Sequence, residues 1–169
     1  MSAATGSSIP QITVTKVRVV AHTMGPVVPG GQLSQNHWSI YLLGPDGGSV
    51  RLNMELSPSV AGDKGRFTVT KHAYAHTTSA IQVFDYDVAQ NTKVQSFLQV
   101  LGNKKRQNYK MTSTGVGCRF WVLTVINDWI QAKLITTANA AQNIACVIQF
   151  NYSKGQNPVK LEMKKGEWY

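Results

Sequence analysis

The chain has 169 residues, 17 basic against 8 acidic, a formal net charge of +9, and two cysteines. That length can bury a core without disulfide staples, the cysteines are too few for a disulfide framework or a four-cysteine zinc site, and no stretch approaches the ~20 apolar residues of a membrane span. The charge favours anionic partners, but the basic clusters do not alternate with aromatics as a nucleic-acid platform would, so a soluble, cytoplasmic protein with reduced thiols is expected.

Residues 1–10 are small and polar, lack the pattern of a secretory leader, and are expected to be disordered, leaving 11–169 as one domain. Ile12 to Ala21 alternates and is β-branched, which predicts a strand. His37 to Leu43 and Ser49 to Leu56 are predicted strands joined by the turn signal Gly44-Pro45-Asp46-Gly47-Gly48. Closing that turn sets Leu43 opposite Ser49, Ser39 opposite Asn53 and His37 opposite Glu55. Strand alternation then places His37, Ser39, Tyr41, Arg51, Asn53 and Glu55 on one face. Trp38, Ile40, Leu42, Val50, Leu52, Met54 and Leu56 share the other; a one-residue slip would mix the two sets, so this register or one shifted by two is expected, and either sets Asn53 opposite or diagonal to His37.

Arg66 to Thr70 and Ala80 to Asp85 read as two further strands. Val94, Phe97, Leu98 and Leu101 fall at helical spacing within 92–101. Cys118 to Leu134 is the longest periodic segment, and Ala138 to Phe150 is a third predicted helix. The tail from Asn151 to Tyr169 is polar and basic. The order of elements predicts an α+β fold, a small antiparallel sheet packed against helices.

Two segments carry the chemistry. Asn36-His37-Trp38-Ser39-Ile40-Tyr41 opens a strand with an imidazole, and Gly115-Val116-Gly117-Cys118-Arg119-Phe120-Trp121 delivers a thiol to the first turn of a helix. Free N–H groups and the positive dipole end of a helix stabilise a thiolate, and the same N–H groups can hold the oxyanion formed when sulfur attacks a carbonyl. A histidine within reach is the matching base. Asn53 is the expected orienting residue for His37, with Glu55 its competitor. Cys146, among Ile144, Val147 and Ile148, reads as a buried structural cysteine. His72 and His76 stand at helical spacing for a metal but have no third ligand, so neither a metal nor another cofactor is expected.

These residues resemble the histidine-first, cysteine-second order of circularly permuted papain-like proteins, including the lecithin retinol acyltransferase and NlpC-like groups. His37-Trp38-Ser39-Ile40-Tyr41 matches their His-Trp-Gly-Ile-Tyr-like strand with Ser39 at the glycine, and Gly117 stands where asparagine often precedes the cysteine. Over most of its length the chain resembles a fungal family of unknown function, through Asn36 to Leu42, Gly48 to Met54 and Gly117 to Trp121. The papain-like resemblance implies a permuted papain-like fold and a cysteine-dependent hydrolase, transacylase or cyclase. Its expected catalytic residues are Cys118, His37 and Asn53. Asn36, Trp38, Tyr41, Arg51, Arg119 and Trp121 are the expected substrate contacts, with backbone at Cys118 and the Asn36 side chain as oxyanion donors. The substrate would be a small acyl compound, anionic in one version. The competing expectations are a ligand-binding module without chemistry and, from charge alone, a nucleic-acid-associated protein.

Overall fold

A computed structural model describes residues 8–26, 28–31, 34–56, 64–112 and 117–169. Five strands form one antiparallel sheet: β1 (Lys16–Pro26), β2 (Ser34–Leu43), β3 (Ser49–Leu56), β4 (Gly65–His72) and β5 (Ala80–Asp87), in the order β4-β3-β2-β1-β5. Three helices follow, α1 (Val94–Asn103), α2 (Cys118–Gln131) and α3 (Ala140–Val147). The fold is therefore mixed, an antiparallel sheet with helices on one face.

The hairpin takes the five-residue-loop register, one of the two that the hydrophobic alternation allows. Leu43 pairs with Ser49, Tyr41 with Arg51 and Ile40 with Leu52. A slip would bury Arg51 and expose Leu52. The apolar face carries Val17, Val19, Trp38, Ile40, Leu42, Val50, Leu52 and Met54, all in one core cluster with Trp121, Val122, Val125, Ile126 and Trp129 of α2. Burying such side chains stabilises the fold by roughly 1.5–3 kcal/mol each. Helix α2 packs on β2 and β3, with α1 and α3 beside it.

Several element bounds differ from expectation. Ile9–Gln11 form a 3-10 turn, and Ile9 and Ile12 pack on the core, so the described part of the N-terminal segment is ordered; residues 1–7 of the expected disorder lie outside the described residues. The first strand starts at Lys16 rather than Ile12, because the Val14 N–H is drawn to the Thr92 carbonyl instead. The third helix is confined to Ala140–Val147. Asn139 enters it with a positive φ of 60°, and beyond it Phe150 leaves to pair with Lys160. Cys146 is exposed, which corrects the reading of a buried cysteine. Helical geometry puts Ala140, Ile144 and Ile148 on the buried side and turns Cys146 away.

The tail is structured as well. Besides β7 (Phe150–Asn151) with β8 (Val159–Lys160), it supplies β9 (Glu167–Trp168), which pairs with β6 (Tyr109–Lys110) just ahead of α2.

Candidate active site

The polar face of the sheet holds a row of titratable and hydrogen-bonding side chains. β1 pairs with β2 so that His22 lies opposite His37 and Val20 opposite Ser39. On the β3 side, Asn53 Oδ1 is 2.5 Å from His37 Nε2, and Asn53 Nδ2 donates to Glu55 Oε2 at 3.1 Å. Glu55 is held in turn by Arg66, whose guanidinium keeps the carboxyl below its ordinary pKa. A carboxylate only accepts hydrogen bonds. Glu55 therefore fixes the Asn53 amide with its NH2 group outward and its oxygen toward the ring. The ring must then donate through Nε2, which leaves Nδ1 as the working nitrogen.

Cys118 acts on the same ring, and each group shifts the pKa of the other. With Nε2 taken by Asn53, Nδ1 is the nitrogen left for the sulfur. Burial alone would depress the His37 pKa, but the hydrogen bond and charge of Cys118, with the Asn53 bond, hold it above its ordinary value against the opposing charge of Arg51. For Cys118, burial pushes the thiol up. The hydrogen bond and charge of His37, the Trp38 backbone N–H and the nearby Arg119 outweigh this and hold the thiol below its ordinary value. Both shifts favour a thiolate beside an imidazolium.

Helix α2 begins at Cys118 behind Gly117, which has no side chain to cap it, and the first N–H groups of a helix have no partner within the helix. Residues 113–116 lie outside the described residues. Gly117 has φ 140°, and a Cβ there would come within 2.9 Å of the Tyr109 hydroxyl, so only glycine fits. That hydroxyl donates to the Gly117 carbonyl and accepts the Gly166 N–H, each at 2.8 Å, and burial pushes its pKa up to about 12. A side chain at Gly166 would collide with the Lys110 carbonyl and the Tyr109 ring. The C-terminal tail thus clamps the residue before the thiol. Sequence reading missed this role; Trp168, whose ring packs tilted against Tyr109 with centroids 4.6 Å apart, was the one signal.

Cys118 and His37 open on a cleft of about 1070 Å³, whose lining includes His22, Arg51, Glu55, Leu56, Met111 and Leu161. The expected substrate contacts divide. Arg51 lines the cleft, and Tyr41 lies buried beneath it. Asn36 faces the cleft, but its amide is engaged with the Tyr152 backbone, accepting at 2.7 Å and donating at 2.8 Å. Arg119 sits at the wall with its guanidinium bound to the carbonyls of Ile148, Leu161 and Glu162. Trp38 turns its ring into the core against Phe84 and Tyr152, offering only its backbone to the sulfur. Trp121 is buried under α2, bonded to the Arg106 carbonyl, away from the cleft.

The surroundings of His22, on the neighbouring strand, set it apart from His37. Its Nε2 lies 2.6 Å from Ser39 Oγ and its Nδ1 lies near the hydroxyls of Ser79 and Thr77. Burial, joined by the positive charges of Arg51, His37 and His76, lowers its pKa to about 3. His72 and His76 are engaged with Thr70 Oγ1 and the Arg18 guanidinium. No helix among the described residues is long and apolar enough to cross a membrane.

No curated protein and no solved structure matches the chain. The model of one family, a domain of unknown function (DUF7770), matches residues 17–169, and the chain belongs to that family.

Proposed function

We propose that this member of the DUF7770 family is a thiol-dependent acyl-transfer enzyme, built on a permuted papain-like arrangement with the histidine strand ahead of the cysteine helix. The observation that carries the reading is the hydrogen-bonded run His37–Asn53–Glu55, which fixes the His37 tautomer and leaves the other ring nitrogen for Cys118, the thiol whose pKa His37 lowers.

In the reaction, the Cys118 proton passes to His37 Nδ1 and the sulfur attacks the carbonyl of an ester, thioester or amide. The oxyanion is held by free N–H groups at the start of α2. The intermediate then collapses to the thioester as the bond from the carbonyl carbon to the leaving group breaks, and the leaving group takes the proton from His37. Water, or a second nucleophile in transfer or cyclisation, then loses its proton to His37, attacks the thioester and releases Cys118. Asn53 holds the ring throughout. No cofactor takes part in these steps, and a reducing cytoplasm would keep the thiol free.

The test is a panel of activated thioesters and esters, read by product release and by intact mass. A transient acyl adduct on Cys118, absent in Cys118→Ala, supports the reading. A wild-type protein that forms no adduct and turns over no member of the panel leaves the cleft a binding pocket.

A further inference from the structure

The described residues that line the cleft include several charged side chains, and most already have partners. Arg119 is bound by three backbone carbonyls. Glu55 is taken by Arg66 and Asn53, and Lys164 pairs with Glu162 at the rim. Arg51 differs. Among the described residues it forms no hydrogen bond and no ion pair, and its Nε is buried without a partner. Its guanidinium carbon lies 5.8 Å from the centre of the Tyr41 ring. Tyr41 is itself fully buried, at 0 % exposure, and its hydroxyl also lacks a partner.

Buried polar groups are nearly always satisfied, and an unmade bond costs more than a made one returns. Here the Arg51 Nε and the Tyr41 hydroxyl, on adjacent strands of the face that carries His37, are both buried without a partner. The cross-strand register explains their proximity, since Tyr41 pairs directly with Arg51. His22 and His72 flank the pair, but neither supplies an anion. His22 has both ring nitrogens occupied by hydroxyls, and the positive charge of Arg51 helps to hold both imidazoles neutral. A guanidinium fork and a phenol offer the geometry that oxyanions take.

We infer that Arg51 and Tyr41 form an anion subsite of the cleft, and that the substrate is an acyl compound whose non-reacting end carries a carboxylate or phosphoryl group. This rests on the reading of Cys118 as the nucleophile. The anion is bound at one end while the carbonyl is presented to the sulfur at the other, so binding energy remote from the reacting bond positions it.

The experiment uses the full chain with Cys146→Ala, leaving Cys118 as the single thiol. Its alkylation is timed with iodoacetamides N-linked to tails of increasing length that end in carboxylate, phosphonate or neutral carboxamide. In each case sulfur forms the bond to carbon and iodide leaves. At one tail length the anionic probe should react about tenfold faster than its carboxamide, the scale of one charge-assisted hydrogen bond in a partly exposed site. The winning anion identifies the group. With each variant's rates divided by its own rate with plain iodoacetamide, Arg51→Gln should bring the anionic-to-neutral ratio near one, and Arg51→Lys should retain part of the preference. Equal rates for anionic and neutral probes at every length, or a preference that survives Arg51→Gln, overturns the subsite and leaves the thiol chemistry standing. If Cys118 is inert to every probe, the thiol reading fails instead. Thermal stabilisation by glutarate or methylphosphonate then decides the subsite: a shift lost in Arg51→Gln upholds it, and no shift overturns it.

Discussion

His22 and His37 face each other across adjacent strands, with ring centroids 6.2 Å apart, yet their pKa values move in opposite directions. Burial acts on both and favours the neutral ring in both. The difference lies in what each ring touches. His22 meets only hydroxyls, which satisfy a neutral imidazole and give no charge to hold a proton. His37 meets an ionisable sulfur, and each of the pair stabilises the charged form of the other. The same residue type on the same sheet face is thus held neutral at one position and held toward its charged form at the next.

The largest expected break in this comparison is His37→Ala. It should lower turnover by on the order of 10²–10⁴, the span of a general base. It should also raise the pH at which Cys118 alkylates, because the main force holding the thiol down is gone. His22→Gln should leave that alkylation pH close to wild type, since His22 is neutral near pH 7.

Asn53→Ala comes next. Losing tautomer control should slow turnover by roughly ten- to a hundredfold, with a smaller loss for Glu55→Ala, which acts only by orienting Asn53. Asn53→Asp should raise the His37 pKa further, since a carboxylate stabilises imidazolium. An NMR titration of the His37 ring, set beside the rates, separates these effects from loss of fold. If Glu55→Ala does the greater damage, the order of the chain is wrong.

The strand pair that carries His37 and Asn53 was legible in the sequence, because one apolar face and one turn signal leave this register or one shifted by two, and both put Asn53 on the face of His37. The helix start at Cys118 was legible from the glycine ahead of a periodic run. The tail was not. Its strands are two residues long, too short for alternation to register, and its effect on the site runs through the Tyr109 hydroxyl and backbone contacts at Gly117 and Gly166. Cys146 misled for a related reason. Its neighbours in sequence are apolar, but a short helix turns every third or fourth residue inward and leaves the others in water.

Smaller effects sharpen the His22 side. Its folded pKa of about 3 lies below the ordinary 6.5, so the unfolded chain binds the proton more tightly. The stability it contributes is full above pH 6.5 and is lost as the pH falls toward 3, at up to about 1.4 kcal/mol per pH unit. Urea unfolding between pH 4 and 7 should show that slope, and His22→Gln should flatten it. His37 has the opposite sign, its contribution fading as the pH rises through its raised value. Smallest of all is Cys146→Ala, which should change the melting temperature and turnover little, since the side chain is exposed.

The central claim is that the ion-pairing chemistry of Cys118 and His37 lowers the thiol pKa. The most direct measurement is the rate of iodoacetamide alkylation of Cys118 against pH, in the Cys146→Ala background. The account predicts a rate already near its plateau well below pH 8, shifting upward in His37→Ala. A wild-type profile that rises only around pH 8.5 or above, as for an ordinary thiol, and is unchanged by His37→Ala, would contradict it.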